Sequence, residues 1–176
     1  WSRKIERVIN SFLKKIDTNN LMNSIINEDD NKFTHEDKLT KKCIAKIYET
    51  LKNIQDNKIE PQAQDHSRAT YCKKIKKTDS VIDFSETSDD IINKFRAYYE
   101  WPGLCFLYKD INIKIHGIHI TNEISTNKPG TILKLDKAGL YVNTGDKVVV
   151  ITYLQFPNKK IISSSDVFNS YKKFFQ

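Results

Sequence analysis

The sequence predicts an α+β chain, with helices first and a small antiparallel β-structure after them. Apolar residues recur at helical spacing up to Tyr99, then alternate from Leu104 onward. Trp101-Pro102-Gly103 marks the change, because proline and glycine stop a helix and turn the chain. A helical pattern returns only after Ser163.

The first helix is expected over Ile5, Val8, Ile9, Phe12, Leu13 and Ile16, which share one face at 3.6 residues per turn. Asp17-Thr18-Asn19-Asn20 ends it with turn-forming residues. Leu21 to Ile26 is a short apolar run that suits strand or helix, and 27–32 reads as a polar loop. The longest helix is expected from Thr34, boxed with Asp37, to about Asn57. Leu39, Cys43, Ile47, Leu51 and Ile54 fall on one face of it. Pro61 then opens a polar connector that runs to Ser67.

Beyond Ala69 the chain turns basic, with Lys73, Lys74, Lys76 and Lys77 making four cations in five residues. Ser85 or Thr87 can cap the next helix, and Asp89 and Asp90 sit where a helix N-terminus favours negative charge. Ile91, Ile92, Phe95 and Tyr98 or Tyr99 give that helix an apolar face.

Strands are expected at Leu104 to Tyr108 and Ile111 to Ile120, flanking a turn at Lys109-Asp110. Ile111, Ile113 and Ile115 alternate there with Asn112, Lys114 and His116. Thr131 to Leu135, Leu140 to Thr144 and Lys147 to Phe156 supply three more strands, with Gly139 and Gly145-Asp146 at tight turns. Ser163 with Asp166 opens the last helix. Five short strands and a closing helix within about 75 residues suggest a small Greek-key barrel of the OB type.

Formal charge is +7 and uneven: residues 101–176 hold ten Lys and Arg against five Asp and Glu. A basic second half suits a polyanionic partner. Cys43, Cys72 and Cys105 lack redox or metal-ligand spacing and are expected as reduced thiols. His116-x-x-His119 makes no metal pair, because residues three apart on a strand point to opposite faces. Thr144-Gly145-Asp146-Lys147 lacks the glycines of a phosphate loop and reads as a hairpin turn. Tyr98, Tyr99, Trp101 and Phe106 lie among basic residues and could stack bases. Their place at the helix-to-strand junction favours a core or interface role instead. No apolar run is long enough to span a membrane. The chain opens on Trp1 and is expected to be a piece of a longer protein.

Several submotifs stand in order along the chain: Ala69-Thr70-Tyr71-x-x-Lys74-Ile75, Ile82-Asp83-Phe84-Ser85, Ile91-x-x-x-Phe95-Arg96-Ala97 and Trp101-Pro102-Gly103. Pro129-Gly130-Thr131-Ile132, the run from Lys137 to Thr144-Gly145-Asp146, Leu154-Gln155-x-x-x-Lys159-Lys160 and Asp166-Val167-Phe168-Asn169 follow. Together they resemble the C-terminal domain of the methionyl-tRNA formyltransferase family, continuously from Pro61 to Tyr171. Ser88 stands where that family usually has Ala, and Glu100 where Pro precedes the Trp.

The resemblance implies a division of the chain. Residues 1–60 would be a truncated, helical end of the Rossmann-like catalytic domain, 61–84 a basic linker, and 85–176 an OB-like tRNA-binding domain. Trp1, Ile5, Glu6, Arg7 and Ile9 resemble the helix that follows the family's catalytic Asn-x-His segment. Asp17 matches the catalytic Asp of a Leu-Asp-Thr-Gly-Asp turn, although Asn19 and Asn20 replace its Gly and second Asp. No Asn-x-His occurs in the chain, and His35, His66, His116 and His119 lie elsewhere. The reaction needs a base for the amine, a donor to the oxyanion and a carboxylate that orients the imidazole. Asp17 alone supplies only the last of these.

The implied activity of the full enzyme is formyl transfer from 10-formyltetrahydrofolate to the α-amine of methionine on initiator tRNA. This chain is expected to bind initiator methionyl-tRNA as a cytoplasmic monomer, with no membrane contact. It is expected to lack catalysis and to hold neither folate nor metal. Lys73, Lys74, Lys76 and Lys77 match the linker that approaches tRNA, and Lys114, Lys159 and Lys160 the basic face of the barrel. Arg96 could hold a domain interface through a carboxylate such as Asp83. A sugar N-formyltransferase or a non-catalytic OB module for single-stranded nucleic acid are the alternatives.

Overall fold

The computed structural model describes residues 25–58, 67, 69, 71 and 73–176. The expected helix from Ile5 to Ile16, Asp17 and Cys72 lie outside the described residues. The chain divides into two units, residues 1–73 and 74–176.

In the first unit, helix α1 spans Lys32–Gln55. It starts earlier than Thr34. Asn31 is the N-cap, its side chain accepting from the Thr34 N–H at 3.1 Å, while the Asn31 N–H donates to the Thr34 hydroxyl at 3.0 Å. Thr34 is therefore the far half of the capping box rather than the cap. The polar stretch that reads as a loop hides this start. Asp30 accepts from Lys38 Nζ at 2.6 Å, and that bond, with the N–H of Asn27, lowers its pKa to about 2.

In the second unit, helix α2 spans Ser88–Ala97 and is capped by Thr87, whose hydroxyl accepts from the Asp90 N–H at 3.1 Å. Strands β1 Leu104–Tyr108, β2 Ile111–Ile120, β3 Ile132–Leu135, β4 Leu140–Asn143, β5 Val148–Gln155 and β6 Ile162–Ser163 follow. Helix α3, Ser164–Tyr171, opens on the box between Ser163 and Asp166 that the sequence predicts.

The sheet is antiparallel throughout, in the order β1-β2-β5-β4-β3, with β6 beside β5. Strand β5 is central and its first four residues, Val148 to Ile151, are buried, which explains their unbroken apolar run. Strand β2 pairs with β1 through residues 111–115 and with β5 through 114–120, with register shifts about Gly117. The result is a curled half-barrel. Among the described residues no ladder joins β1 to β3. Val81 bridges in parallel to Cys105, and the Ile82 N–H donates to the Cys105 carbonyl at 2.8 Å, so the entering chain occupies the outer edge of β1.

Ile91 of α2, Ile113 and Ile115 of β2, Leu140 of β4 and Val167 of α3 meet in one core. Burying each such side chain contributes about 1.5–3 kcal/mol.

Candidate nucleic-acid interface

Lys77 is held close to the sheet by the turn that follows it. Residues Lys77–Ser80 form a short 3-10 turn. The Lys76 N–H donates to Asp79 Oδ2 at 2.7 Å, and the Ser80 hydroxyl to the Lys77 carbonyl at 2.7 Å. Ser80 is buried with its Oγ 3.3 Å from Cys105 Sγ, which ties the turn to β1. Lys74, Lys76 and Lys77 remain exposed, as does Lys73 at the end of the first unit.

Lys114 reaches the same face by strand alternation. Ile113 and Ile115 point into the core, so Lys114 between them points out. It lies opposite Gln155 of β5. Gln155 Nε2 donates to the Lys159 carbonyl at 2.9 Å, and Gln155 Oε1 lies 3.0 Å from His116 Nε2. The amide oxygen can only accept, so His116 donates from Nε2. Gln155 thus joins β2 to the turn that carries Lys159 and Lys160. Both of those lysines are exposed.

A cavity of about 390 Å³ is lined by Lys77, Lys114, Asn112, Gln155 and Asn158, among others. It brings together one lysine from each predicted cluster. Lys74, Lys76 and Lys160 do not line it, and Lys159 follows directly on its rim residue Asn158. Among the described residues none of the seven predicted lysines has a carboxylate within 4.0 Å, whereas Lys38, Lys41, Lys94 and Lys134 are each paired with one. Charges without a partner are the ones available to phosphate. Gln155 was not foreseen, because only the β2–β5 register places it opposite Lys114, whereas Asn112 shares the face of Lys114 by strand alternation.

The four aromatic candidates separate. Phe106 is a core residue, as its place in the β1 alternation requires, and Tyr98 packs against the same core. Tyr99 and Trp101 are 40% and 54% exposed. Among the described residues no group of His, Cys, Asp and Glu could hold a metal. Asp83 Oδ1 accepts from the Ser85 N–H at 2.9 Å, and Arg96 Nη1 donates to Asn93, so the two do not form the pair expected of them.

The family description "Formyl transferase, C-terminal domain" matches residues 74–172. The chain belongs to the formyltransferase family. Methionyl-tRNA formyltransferase of Sulfurihydrogenibium sp. is 36% identical over 84% of this chain and 48% of its own length. The enzyme of the same description from Francisella tularensis subsp. novicida is 36% identical over 88% of this chain and 50% of its own. The chain therefore spans about half the length of the curated relatives it matches. HypX from Aquifex aeolicus, in a crystal structure of a variant, superposes with a TM-score of 0.59 at 18% identity, over 85% of this chain and 28% of that one. A further HypX structure, in complex with tetrahydrofolic acid, gives a TM-score of 0.58 at 17% identity over 84% of this chain and 26% of that one. These likenesses extend the fold of the formyltransferase C-terminal domain to HypX. Among the described residues no helix is long and apolar enough to cross a membrane.

Proposed function

We propose that this chain is the tRNA-gripping part of a methionyl-tRNA formyltransferase. The observation that carries the reading is the cleft shared by Lys77 and Lys114, two cations from segments 37 positions apart that have no carboxylate partner among the described residues, with Lys159 next in sequence to the lining residue Asn158. Lysines held on a rigid sheet edge contact phosphates without reading sequence, which suits a folded RNA. The relatives' name points to a methionyl-tRNA as the partner, and the proposal takes it to be the initiator form.

In the whole protein the reaction would move a formyl group from 10-formyltetrahydrofolate to the α-amine of methionine on that tRNA. The residues present do not make up the set this chemistry asks for, since no Asn-x-His stands in the chain. Asp17, outside the described residues, would be a carboxylate without its partners. We assign the one-carbon donor to the half of the relatives that this chain does not span. The OB-type kinship of the half-barrel, the Rossmann-like origin of residues 1–60, the linker at 61–84 and a cytoplasmic monomer belong to the same proposal.

The test is a pair of measurements on the chain itself. Initiator tRNA should bind, and the affinity should fall steeply between about 50 and 200 mM salt. No formyl-methionyl-tRNA should form when the chain is mixed with 10-formyltetrahydrofolate and methionyl-tRNA. Salt-independent binding, no binding, or turnover by the chain alone would each defeat the proposal.

A further inference from the structure

Glu100 and Lys114 line one cavity without pairing. The space holds about 270 Å³ at the junction of α2 and the sheet, with Phe95, Tyr98 and Tyr99 on its wall. Among the described residues Glu100 takes part in none of the ion pairs within 4.0 Å. A carboxylate and an ammonium therefore border one space from separate positions. The aromatic wall follows from helical spacing. Phe95 lies in the last turn of α2, and Tyr98 and Tyr99 come three and four residues later. The turn after them is fixed: the Trp101 N–H donates to the Tyr99 carbonyl at 2.8 Å and the Gly103 N–H to the Tyr98 carbonyl at 3.0 Å. Between these bonds Glu100 sits at φ 63°, in the left-handed region that a residue with a Cβ seldom takes. Such outliers persist only where the surroundings hold them, and they gather at functional sites. Glu100 stands where the family usually has Pro, whose ring fixes φ at about −65°. Proline cannot take this backbone, so the carboxylate and the turn that carries it go together.

Gly103 and Lys114 also line the cationic cleft, which Lys77 borders. The two cavities thus offer an acceptor, aromatic rings and two cations along one surface. Each asks for a different group. An ionised carboxylate only accepts hydrogen bonds, so Glu100 asks for adjacent N–H donors. The tyrosines ask for a flat ring, and the lysines for phosphate. We propose that the paired cavities bind a free guanine nucleotide, with its N1–H and 2-amino group on Glu100, its ring on the tyrosines and its phosphates on Lys114 and Lys77. Guanine presents two adjacent donors on its pairing edge. Adenine and cytosine present one donor beside a bare nitrogen, and uracil a single N–H between two oxygens. The cavities, of about 270 and 390 Å³, together fall within the roughly 300–1,000 Å³ of small-molecule sites. The ligand is a small molecule rather than an RNA, so the proposal goes beyond the tRNA reading and does not rest on it.

The experiment is calorimetric titration of the full chain with GDP, IDP and ADP. IDP differs from GDP only by lacking the 2-amino group. GDP should bind at least about tenfold tighter than IDP, because the missing donor leaves a charged acceptor unpaired. ADP should bind no better than IDP. Glu100→Gln keeps the size of the side chain and should bring the three within about threefold of one another. Tyr99→Ala and Lys114→Ala should each weaken all three alike, since ring and phosphate are common to them. The ratio of GDP to IDP affinity is read on the parent chain, so it stands even where a variant misfolds. Equal affinity for GDP and IDP, an order that survives Glu100→Gln, GDP binding untouched by Lys114→Ala, or no GDP binding at millimolar concentration would each overturn the site. None of these ligands is a tRNA, so each such result leaves the phosphate contacts proposed for tRNA to their own titration.

Discussion

Ser88 and Asp146, 58 positions apart, lock helix α2 to the β4–β5 turn: the Ser88 N–H donates to Asp146 Oδ1 at 2.7 Å and its hydroxyl to Oδ2 at 3.2 Å. Ser88 is fully buried. The hydroxyl adds a second donor to a carboxylate already sitting at a helix N-terminus. Ser88→Ala keeps the backbone bond and loses the other, so it should cost about 1 kcal/mol in urea unfolding. Asp146→Asn weakens both and should cost about 2 kcal/mol.

The same pair gives a dependence on pH. The Ser88 N–H above all, then the Thr144 and Ser88 hydroxyls, hold the Asp146 carboxyl below its ordinary 3.8. The ionised carboxylate therefore stabilises the fold fully above that value. The contribution fades as pH falls from 3.8 through the lower folded-state value. Asp146→Asn has no such titration. Its deficit against the parent chain should be greatest near neutral pH and shrink below about pH 4, measured as the difference in urea midpoints.

Gly145 and Gly130 should respond to substitution for different reasons. A Cβ on Gly145 would lie 2.4 Å from the Ser85 carbonyl oxygen and 3.0 Å from that of Glu86, both backbone atoms. Gly130 has room, its nearest neighbour being Phe84 at 3.7 Å, but sits at φ +83°. Alanine should cost about 1–3 kcal/mol at 145, through displacement of the loop before α2. At 130 it should cost about 1–2 kcal/mol, through backbone conformation. Asparagine tolerates the left-handed region, so Gly130→Asn should recover part of the loss and Gly145→Asn none. Thermal unfolding of the four variants checks this.

Those two glycines also mark how much could be read from residues alone. Cues that act over three or four positions were legible. Ser163 with Asp166 caps its helix, Thr87 is the one of the two expected caps, Ser85 or Thr87, that opens α2, and Ile111, Ile113 and Ile115 set the phase of β2. Lys109 and Asp110 make the two-residue turn, both at positive φ. Cues that depend on long-range pairing were not legible. Gly145 looks like a turn residue, yet it is needed because the loop before α2 passes against it. The convergence of Lys77 on Lys114 depends on Val81 bridging to Cys105, which no local spacing announces. The lysine clusters themselves were legible as charge, but which lysines share a cleft was not.

The cleft predicts unequal lysines. In tRNA binding, Lys77→Ala and Lys114→Ala should each weaken affinity and lower the salt slope by about one unit or somewhat less. Lys159→Ala should do so to a smaller extent, because Lys159 does not line the cleft and only its neighbour Asn158 does. Lys134→Ala should leave both unchanged, because Lys134 Nζ lies 3.7 Å from Asp136 and 3.9 Å from the centre of the Tyr141 ring. Equal effects at all four positions would mean that charge alone, not the cleft, governs binding.

Lys109 is basic and exposed, yet its charge is already engaged. Its Nζ donates to the Phe174 carbonyl at 2.7 Å and stands 5.3 Å and 5.4 Å from the ring centres of Tyr108 and Phe174. Those rings belong to the aromatic cluster that fastens the C-terminus to the sheet. Phe156 stacks on Tyr171 with centroids 4.4 Å apart, and Tyr108 lies 5.2 Å from Phe175. Phe156→Ala opens that cluster at its centre and should cost about 3–5 kcal/mol. Lys109→Ala removes only the exposed cation and its carbonyl contact, and should cost about 1 kcal/mol. It should leave the salt slope of tRNA binding where it was. A lysine that loses stability but not affinity on truncation, beside Lys114 with the opposite behaviour, would show that partners rather than net charge decide which cations meet the nucleic acid.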